Sequence, residues 1–294
     1  MTFLNYLING ISLGSVYAII ALGYTMVYGI AKMLNFAHGD IIMVGAYVIF
    51  NCMSAFKLNP IVSVLISMAV CTALGVLIER VAYRPLRNAS SSLAVLITAI
   101  GVSYLLQNVA LLIFKADTKS FSSVVSIQAI KLFDGQLVIS GEALVTILVC
   151  IVVMIALTLF VNKTKAGQAM QAVSEDKGAA QLMGINVNGT IALTFAIGSA
   201  LAAVAGALMC STYTNLTPYT GTMPGIKAFV AAVFGGIGSI PGAMIGGLLI
   251  GIIEILGKAY ISSQMADAIV FAVLVVVLLV KPAGLLGKNV QEKV

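Results

Sequence analysis

Apolar residues run for twenty or more positions without a charge, and they do so repeatedly. No Asp, Glu, Lys or Arg occurs from Met1 to Ala31, Leu58 to Ile78, Asn88 to Phe114, Ala143 to Asn162, Gly178 to Ile226 or Ala228 to Ile253. About 20 apolar residues in a helix cross the hydrocarbon layer of a bilayer. Barrel strands would instead show roughly ten alternating residues each, and these runs are too long and too uniform for that. Backbone facing lipid must satisfy its own hydrogen bonds, which a helix does. The pattern therefore predicts an all-α polytopic membrane protein. Its eight to nine apolar helical segments fall at about 10–31, 36–56, 61–79, 93–114, 143–161, 190–213, 226–237, 242–257 and 266–282. They form a single transmembrane domain over 1–294, interrupted by one long polar loop at about 162–189.

Composition agrees: 61% of residues are hydrophobic and 9% charged, where a soluble domain carries about 25% charged residues. The N-terminus, Met1-Thr2-Phe3-Leu4-Asn5, has no basic stretch, so the first apolar run reads as a retained span and not a cleaved signal. The net charge of +6 is explained by membrane orientation, and no basic cluster is dense enough to suggest nucleic acid. Lysine and arginine favour the cytoplasmic side. With the N-terminus outside, Lys32, Arg80, Arg84, Arg87, Lys163, Lys165, Lys177, Lys281, Lys288 and Lys293 lie inside. Lys57, Lys115, Lys119, Lys131, Lys227 and Lys258 lie outside. Cys52, Cys71, Cys150 and Cys210 sit in or at the ends of apolar segments without metal-like spacing and read as small packing residues.

The pair of segments within 226–257 is short and split by Gly235-Gly236-Ile237-Gly238-Ser239-Ile240-Pro241-Gly242, a density of glycine and proline that breaks a helix. A re-entrant hairpin entering from and returning to the outside suits the basic C-terminus. Two full crossings with a tight turn, or one kinked helix, are the alternatives. Broken helices at membrane depth are tolerated where they line a cavity or are buried in protein, so Gly235, Gly236, Gly238, Pro241 and Gly242 are candidates for a pathway wall or hinge. The small residues of 196–206 and 242–247 suit close helix packing.

Polar chemistry is sparse. The single histidine, His38, lies in Asn35-Phe36-Ala37-His38-Gly39-Asp40, and an ionisable residue among apolar runs is a functional candidate by default. The orientation places His38 and Asp40 near the cytoplasmic end of the second span, beside Lys32, where they fix how that span enters the bilayer. Glu254 reads as a helix-end acid paired with Lys258 at i,i+4. Arg80, Arg84 and Arg87 read as a topology anchor, and Asn35, Gln107 and Asn108 as helix–helix hydrogen-bonding residues. In the 162–189 loop, Thr164 can cap a helix over 165–173 and Ser174 a second one, with Glu175 and Asp176 in its first turn. Gly184 can end that helix in a left-handed conformation. Ala169, Met170 and Val173 share a face of the first helix, and Ala179, Ala180 and Met183 a face of the second. Such short helices need a surface to pack on, either this chain's own span ends or another subunit.

Glu175-Asp176-Lys177-Gly178-Ala179-Ala180-Gln181-Leu182-Met183-Gly184 resembles the cytoplasmic Glu-Ala-Ala…Gly loop of bacterial ABC importer permeases. The stretch from Asn35 through Asp40 to Tyr47 resembles the signature of the LivH-type branched-chain amino-acid permeases, with aspartate at 40 where glutamate is expected. Asn9 to Ala18, Phe234 to Ala243 and Lys281 to Gly287 are similar to the same family. This resemblance implies a permease subunit of the bacterial inner membrane that moves aliphatic amino acids by alternating access. It implies a second, LivM-like permease, two cytoplasmic ATPase subunits that carry the ATP and magnesium, and a periplasmic binding protein. It assigns ATPase coupling to Glu175, Asp176, Ala179, Ala180 and Gly184, and makes Asn35, His38, Gly39 and Asp40 a family mark. No cofactor, metal site or catalytic residue is expected on this chain. A phosphate-binding loop needs Gly-x4-Gly-Lys-Ser/Thr, and Gly251 to Gly257 has the wrong spacing, with Ala259 after Lys258.

Other classes fit less well. Related urea and short-chain amide permeases share much of the pattern. An ion channel or secondary carrier more often shows paired intramembrane charges or a selectivity ring. An intramembrane enzyme needs a nucleophile–base or metal set, and His38 beside Asp40 has no further partner in sequence. A scaffold has no feature in its favour.

Overall fold

A computed structural model of the chain describes residues 2–87, 92–120, 122–125, 127–132 and 137–287. Lys288 and Lys293, used above for orientation, lie outside the described residues. Helix α1 spans Thr2–Ala31, α2 His38–Ser54 and α3 Pro60–Ile78. Helix α3 runs on through a π-helical turn, Glu79–Tyr83, and a 3-10 turn, Arg84–Leu86. Then follow α4 (Ser92–Phe114), β1 (Lys119–Ser120), β2 (Ile130–Leu132), β3 (Leu137–Ile139), α5 (Gly141–Lys163), α6 (Lys165–Glu175) and α7 (Lys177–Leu182). The chain continues with α8 (Val187–Thr212), β4 (Asn215–Leu216), α9 (Thr222–Gly235), α10 (Ile240–Tyr260) and α11 (Ala266–Val280). Each of the nine apolar segments read from the sequence is a helix. The four short strands form two antiparallel pairs, β1 with β4 and β2 with β3.

Among the described residues, six helices are long and apolar enough to cross a membrane. They divide by environment. The most apolar windows of α1 and α8 are 94% and 78% buried, whereas those of α3, α4 and α5 are 28%, 17% and 22% buried. Helices α1 and α8 are thus the interior of the bundle, and α3 to α5 turn most of their surface outward, where lipid solvates leucine and valine as well as protein does.

Close approach of backbones builds that interior. A Cβ on Gly10 would lie 2.9 Å from the Cα of Ile252, and one on Gly14 2.7 Å from the Cα of Leu248. Helices α1 and α10 therefore run antiparallel along a glycine seam, which is the packing expected of the 242–247 stretch. The 196–206 stretch does the same for α8: a Cβ on Gly45 of α2 would meet the Cα of Ala203 at 3.0 Å. All four cysteines are free and buried.

The split pair is a hairpin, broken where the glycines and proline fall. Gly236 and Gly238 take the left-handed conformation (φ 105° and 95°), and Ser239 caps α10 by accepting from the Gly242 amide at 3.2 Å. The turn reaches the face where α1 ends: a Cβ on Gly29 would lie 3.2 Å from the Cα of Gly238. The main-chain amides of Leu285 and Leu286 bond the α9 carbonyls of Phe234 and Gly235, each at 2.9 Å. Helix α10 has 21 residues, about 32 Å at 1.5 Å per residue, which is long enough for a full crossing. Helix α9 has only 14, because it starts inside the bundle. There Gly225 meets Gly39 so closely that a Cβ would stand 2.8 Å from the Gly39 Cα.

Candidate functional site

Two short helices, α6 and α7, lie on one face of the bundle, called here the near face. Thr164 caps α6 as expected, accepting from the Gly167 amide at 3.0 Å and donating to the Phe160 carbonyl at 2.7 Å. Met170 and Val173 are buried, so this helix packs on the chain's own spans. Ser174 does not cap the second helix. Its hydroxyl donates to the Gln171 carbonyl at 2.7 Å within α6. Asp176 takes the role, its carboxylate accepting from the Gly178 and Ala179 amides at 2.7 and 2.9 Å. An anion reaching two free amides at the positive end of a helix outcompetes a serine hydroxyl. Glu175 is consequently the last residue of α6, not part of the α7 first turn. Gly184 is left-handed, φ 81°, as the cap reading requires.

The expected apolar face of α7 divides. Ala180 is buried, whereas Ala179 is exposed and Leu182 and Met183 are 90% and 82% exposed. Lys177, which the sequence reading used only for orientation, joins the loop to the bundle. Its ammonium donates to the Ala31 carbonyl at 3.1 Å, at the C-terminus of α1, where carbonyls lack intrahelical partners. Lys32 follows in a left-handed conformation, φ 58°. Burial lowers the Lys177 pKa from the ordinary lysine value, and the positive charges of Arg87 and Lys32 push the same way.

Beside this contact the π turn of α3 holds a buried carboxylate, Glu79, paired with Arg84 at 3.1 Å and with Arg87. Arg87 also donates to Asn188 in the first turn of α8 at 2.6 Å. Burial lowers the pKa of Arg87, and the Glu79 carboxylate opposes that. Arg87 therefore does more than anchor topology: it fastens the α3 end to α8, while Arg84 completes the pairing of Glu79. One turn on, the Tyr83 hydroxyl donates to Asn35 at 2.9 Å, and that bond opens the hexapeptide.

His38 and Asp40 are not at the rim of the bundle. The chain turns back after α1, and the His38 imidazole fills the notch left by Gly23, where a Cβ would lie 2.6 Å from Nε2. Gly23 is eight residues, about 12 Å, before the end of α1. Both side chains are buried. Asp40 accepts from the Gln107 amide at 2.8 Å, and Gln107 reaches Thr222 at 3.5 Å. A linear topology reading misses this because it assumes that each helix starts at a membrane surface, whereas α2 and α9 both start within. Gln107 and Asn35 bond across helices as expected, and Asn108 donates only to its own helix, to the Tyr104 carbonyl at 2.7 Å.

Toward the opposite, far face, Glu254 does pair with Lys258, at 2.6 Å, but it is buried and also holds Lys227 at 2.8 Å. Tyr17 donates to its other oxygen at 2.8 Å, and Lys227 reaches Asp267 at 2.7 Å. The network joins α1, α9, α10 and α11. Among the described residues no group of three or more His, Cys, Asp or Glu has metal-binding geometry.

A cavity of about 950 Å³ opens at the near face between the ends of α1 and α5, the inner side of α6 and the α9–α10 turn. Of the glycine–proline set, Gly238 and Pro241 line it. Gly235 and Gly242 instead press the two legs of the hairpin together, and Gly236 packs on Gly287.

The chain matches the family model described as branched-chain amino acid transport system / permease component over residues 6–278. It is 46% identical to the high-affinity branched-chain amino acid transport system permease protein LivH of Escherichia coli (strain K12), across 99% of this chain and 98% of that protein. The protein of the same description from Salmonella typhimurium is 45% identical over the same shares. The corresponding permease protein BraD of Pseudomonas aeruginosa is 44% identical, again over 99% and 98%.

Proposed function

The chain belongs to the family of branched-chain amino acid transport system permease components, and we propose that it is one of two membrane subunits of an ABC importer for leucine, isoleucine and valine. The second membrane subunit is a related, LivM-like permease. Two ATPase subunits carry ATP and magnesium, and a periplasmic binding protein delivers substrate. The near face is cytoplasmic in this reading and the N-terminus periplasmic, in keeping with the lysine and arginine distribution.

The observation that carries the proposal is the α6–α7 pair. It is fixed to the bundle through Met170, Val173 and the Lys177–Ala31 bond, while Leu182 and Met183 stand uncovered in a polar loop. Exposed large apolar side chains at such a place call for a protein partner. Energy must come from that partner, since the sequence has no phosphate-binding loop of its own. Closure of the ATPase pair pulls on α7, with Glu175, Asp176, Ala179, Ala180 and Gly184 shaping the docking element. Lys177 passes the motion to α1, and α1 passes it to α10 along their glycine seam.

Substrate leaves toward the cytoplasm through the cavity beside the α9–α10 turn. Its wall combines apolar Met26, Ile30, Val161 and Ile240 with polar Thr158, Asn162, Gln168 and Gln171, a mixture that can pass a zwitterion with an aliphatic tail, and loose holding favours release, because tight binding to one state would oppose the cycle.

The test is reconstitution of this chain with its second permease, the ATPases and the binding protein in proteoliposomes. The expected result is ATP-dependent leucine uptake that fails when any one component is left out. A sealed, assembled complex that moves urea or a short amide and no leucine would replace the substrate assignment.

A further inference from the structure

We propose that the outward stripe of α4 formed by Ile97, Gly101, Tyr104 and Asn108 is the surface that packs on a membrane helix of the second permease subunit. This rests on the importer reading above. Positions 97, 101, 104 and 108 recur at helical spacing and so share one face, and all four are exposed. The opposite side of α4 holds it to the bundle through buried Ala99 and Ala110. Next to that side, Gln107 donates to Asp40 of α2 at 2.8 Å and reaches Thr222 of α9 at 3.5 Å. These bonds fix the rotation of α4 about its own axis, so Tyr104 and Asn108 cannot turn inward to find partners.

Depth decides what the stripe can meet. Helix α4 has 23 residues, about 34 Å, so Tyr104, about 15 Å before its end, stands near the middle of the hydrocarbon layer. Asn108 stands about 9 Å from the same end. Tyrosine in membrane helices favours the headgroup level, and an amide facing hydrocarbon is costly. Yet Tyr104 is 62% exposed. Asn108 is exposed too, with its amide bonded to the Tyr104 carbonyl of its own helix at 2.7 Å. One amide hydrogen and the side-chain oxygen of Asn108 are left for whatever covers the stripe. Gly101 is a second sign. Nothing in this chain lies within 4 Å of a Cβ added there, so internal packing gives no reason for glycine where alanine makes the better helix. A small residue that admits a neighbouring backbone, beside an amide that bonds across, is the makeup of a helix–helix contact in a bilayer. Water-soluble ATPases and binding proteins do not reach this depth. The partner is therefore a membrane helix that offers Asn108 a polar group and brings its backbone close at Gly101. Of the importer's other subunits, the second permease is the one that supplies it.

The test uses the complete transporter in membranes, with the photoreactive residue benzoylphenylalanine introduced as Tyr104→benzoylphenylalanine. Leucine uptake by the wild-type complex is the first reading, and its absence would fail the importer assignment independently of the stripe. Given uptake, light should join position 104 to the second permease in an adduct identified by mass spectrometry. The yield should far exceed that from Val152→benzoylphenylalanine, placed on the exposed apolar side of α5. Adducts to lipid alone, joined copies of this chain, or equal yields from the two positions overturn the proposal. Asn108→Leu reads the contact itself. Alone in detergent this variant should unfold at or above the wild-type midpoint, since leucine suits an apolar solvent better than an amide does. Its co-purification with the second permease should fall about three- to tenfold, the range for one hydrogen bond between membrane helices. Undiminished co-purification overturns the role of the stripe in holding the pair. Ready labelling of Asn108→Cys in the assembled complex by a water-soluble thiol reagent also overturns it, because the stripe would then face water and not a helix.

Discussion

Lys177 donates its ammonium to the Ala31 carbonyl across 3.1 Å, which ties the short helix after Asp176 to the end of the most buried span, α1. The bond is the one direct polar link described between α7 and the bundle core. Because Lys177 as a residue is more than one-third exposed, the bond's worth to stability is about 1 kcal/mol. In the proposed coupling route it counts for more, since a helix that slides on its seat transmits no force. Lys177→Met is expected to lower leucine uptake per ATP hydrolysed several-fold while membrane insertion and thermal midpoint stay near wild type, and Lys177→Arg to retain part of it. An unchanged uptake-to-hydrolysis ratio in Lys177→Met would remove Lys177 from the coupling route.

The uncovered pair on α7 gives a second expectation. Leu182 and Met183 touch little of their own chain, and substitutions at such positions shift stability by no more than about 0.5 kcal/mol. Leu182→Glu with Met183→Glu should therefore leave the permease folded and abolish co-purification of the ATPase subunits. Retained ATPase binding would mean that the docking surface lies elsewhere on the near face.

How much of this was legible in the sequence depends on the range of the interaction. The nine apolar helices, the Thr164 cap, the left-handed Gly184 and the break at 236–239 follow from local rules, and all are present. Asp176 taking the cap in place of Ser174 is also local, decided between two residues two positions apart. The depth of His38 and Asp40 was not legible. It depends on Gly23 leaving a notch in α1 and on Gly39 meeting Gly221 and Gly225, contacts between residues far apart in sequence. Lys177 was hidden for the same reason: nothing near it in sequence marks Ala31 as its acceptor. Glu254 was half visible, because the i,i+4 lysine is local and Lys227 is not.

That last pair gives a third expectation. Lys227 and Glu254 are both buried and lie 2.8 Å apart, so removing one leaves a buried charge short of a partner, at a cost of about 3–5 kcal/mol. Lys258 remains beside Glu254, so Lys227→Met should fall at the lower end of that range. Removing both charges is much cheaper, and Lys227→Met with Glu254→Gln should recover most of the loss. A double mutant whose unfolding midpoint in detergent falls by the sum of the two singles would show that the pair is not coupled.

The seam between α1 and α10 makes the steepest expectation, and it has its own control. A Cβ added at Gly247 would stand 2.5 Å from both the Cα and the N of Ala18. These are backbone atoms on the facing helix, which cannot move aside as a flexible side chain can. Overpacking of this kind costs about 1–3 kcal/mol where a core can adjust, and this seam has helix backbone on both sides. Gly247→Ala should therefore lose at least that much stability, and Gly247→Leu should fail to fold. At Gly101, in the outward-facing α4, nothing lies within 4 Å of an added Cβ. Gly101→Ala should be neutral or stabilising, by at most about 1 kcal/mol through helix propensity. The two alanine variants share their chemistry and differ only in what the new methyl group meets, so the difference between their unfolding midpoints reads the seam alone. Equal midpoints would mean that α1 and α10 are not in close backbone contact, and the route from Lys177 through α1 to the cavity wall would fall with them.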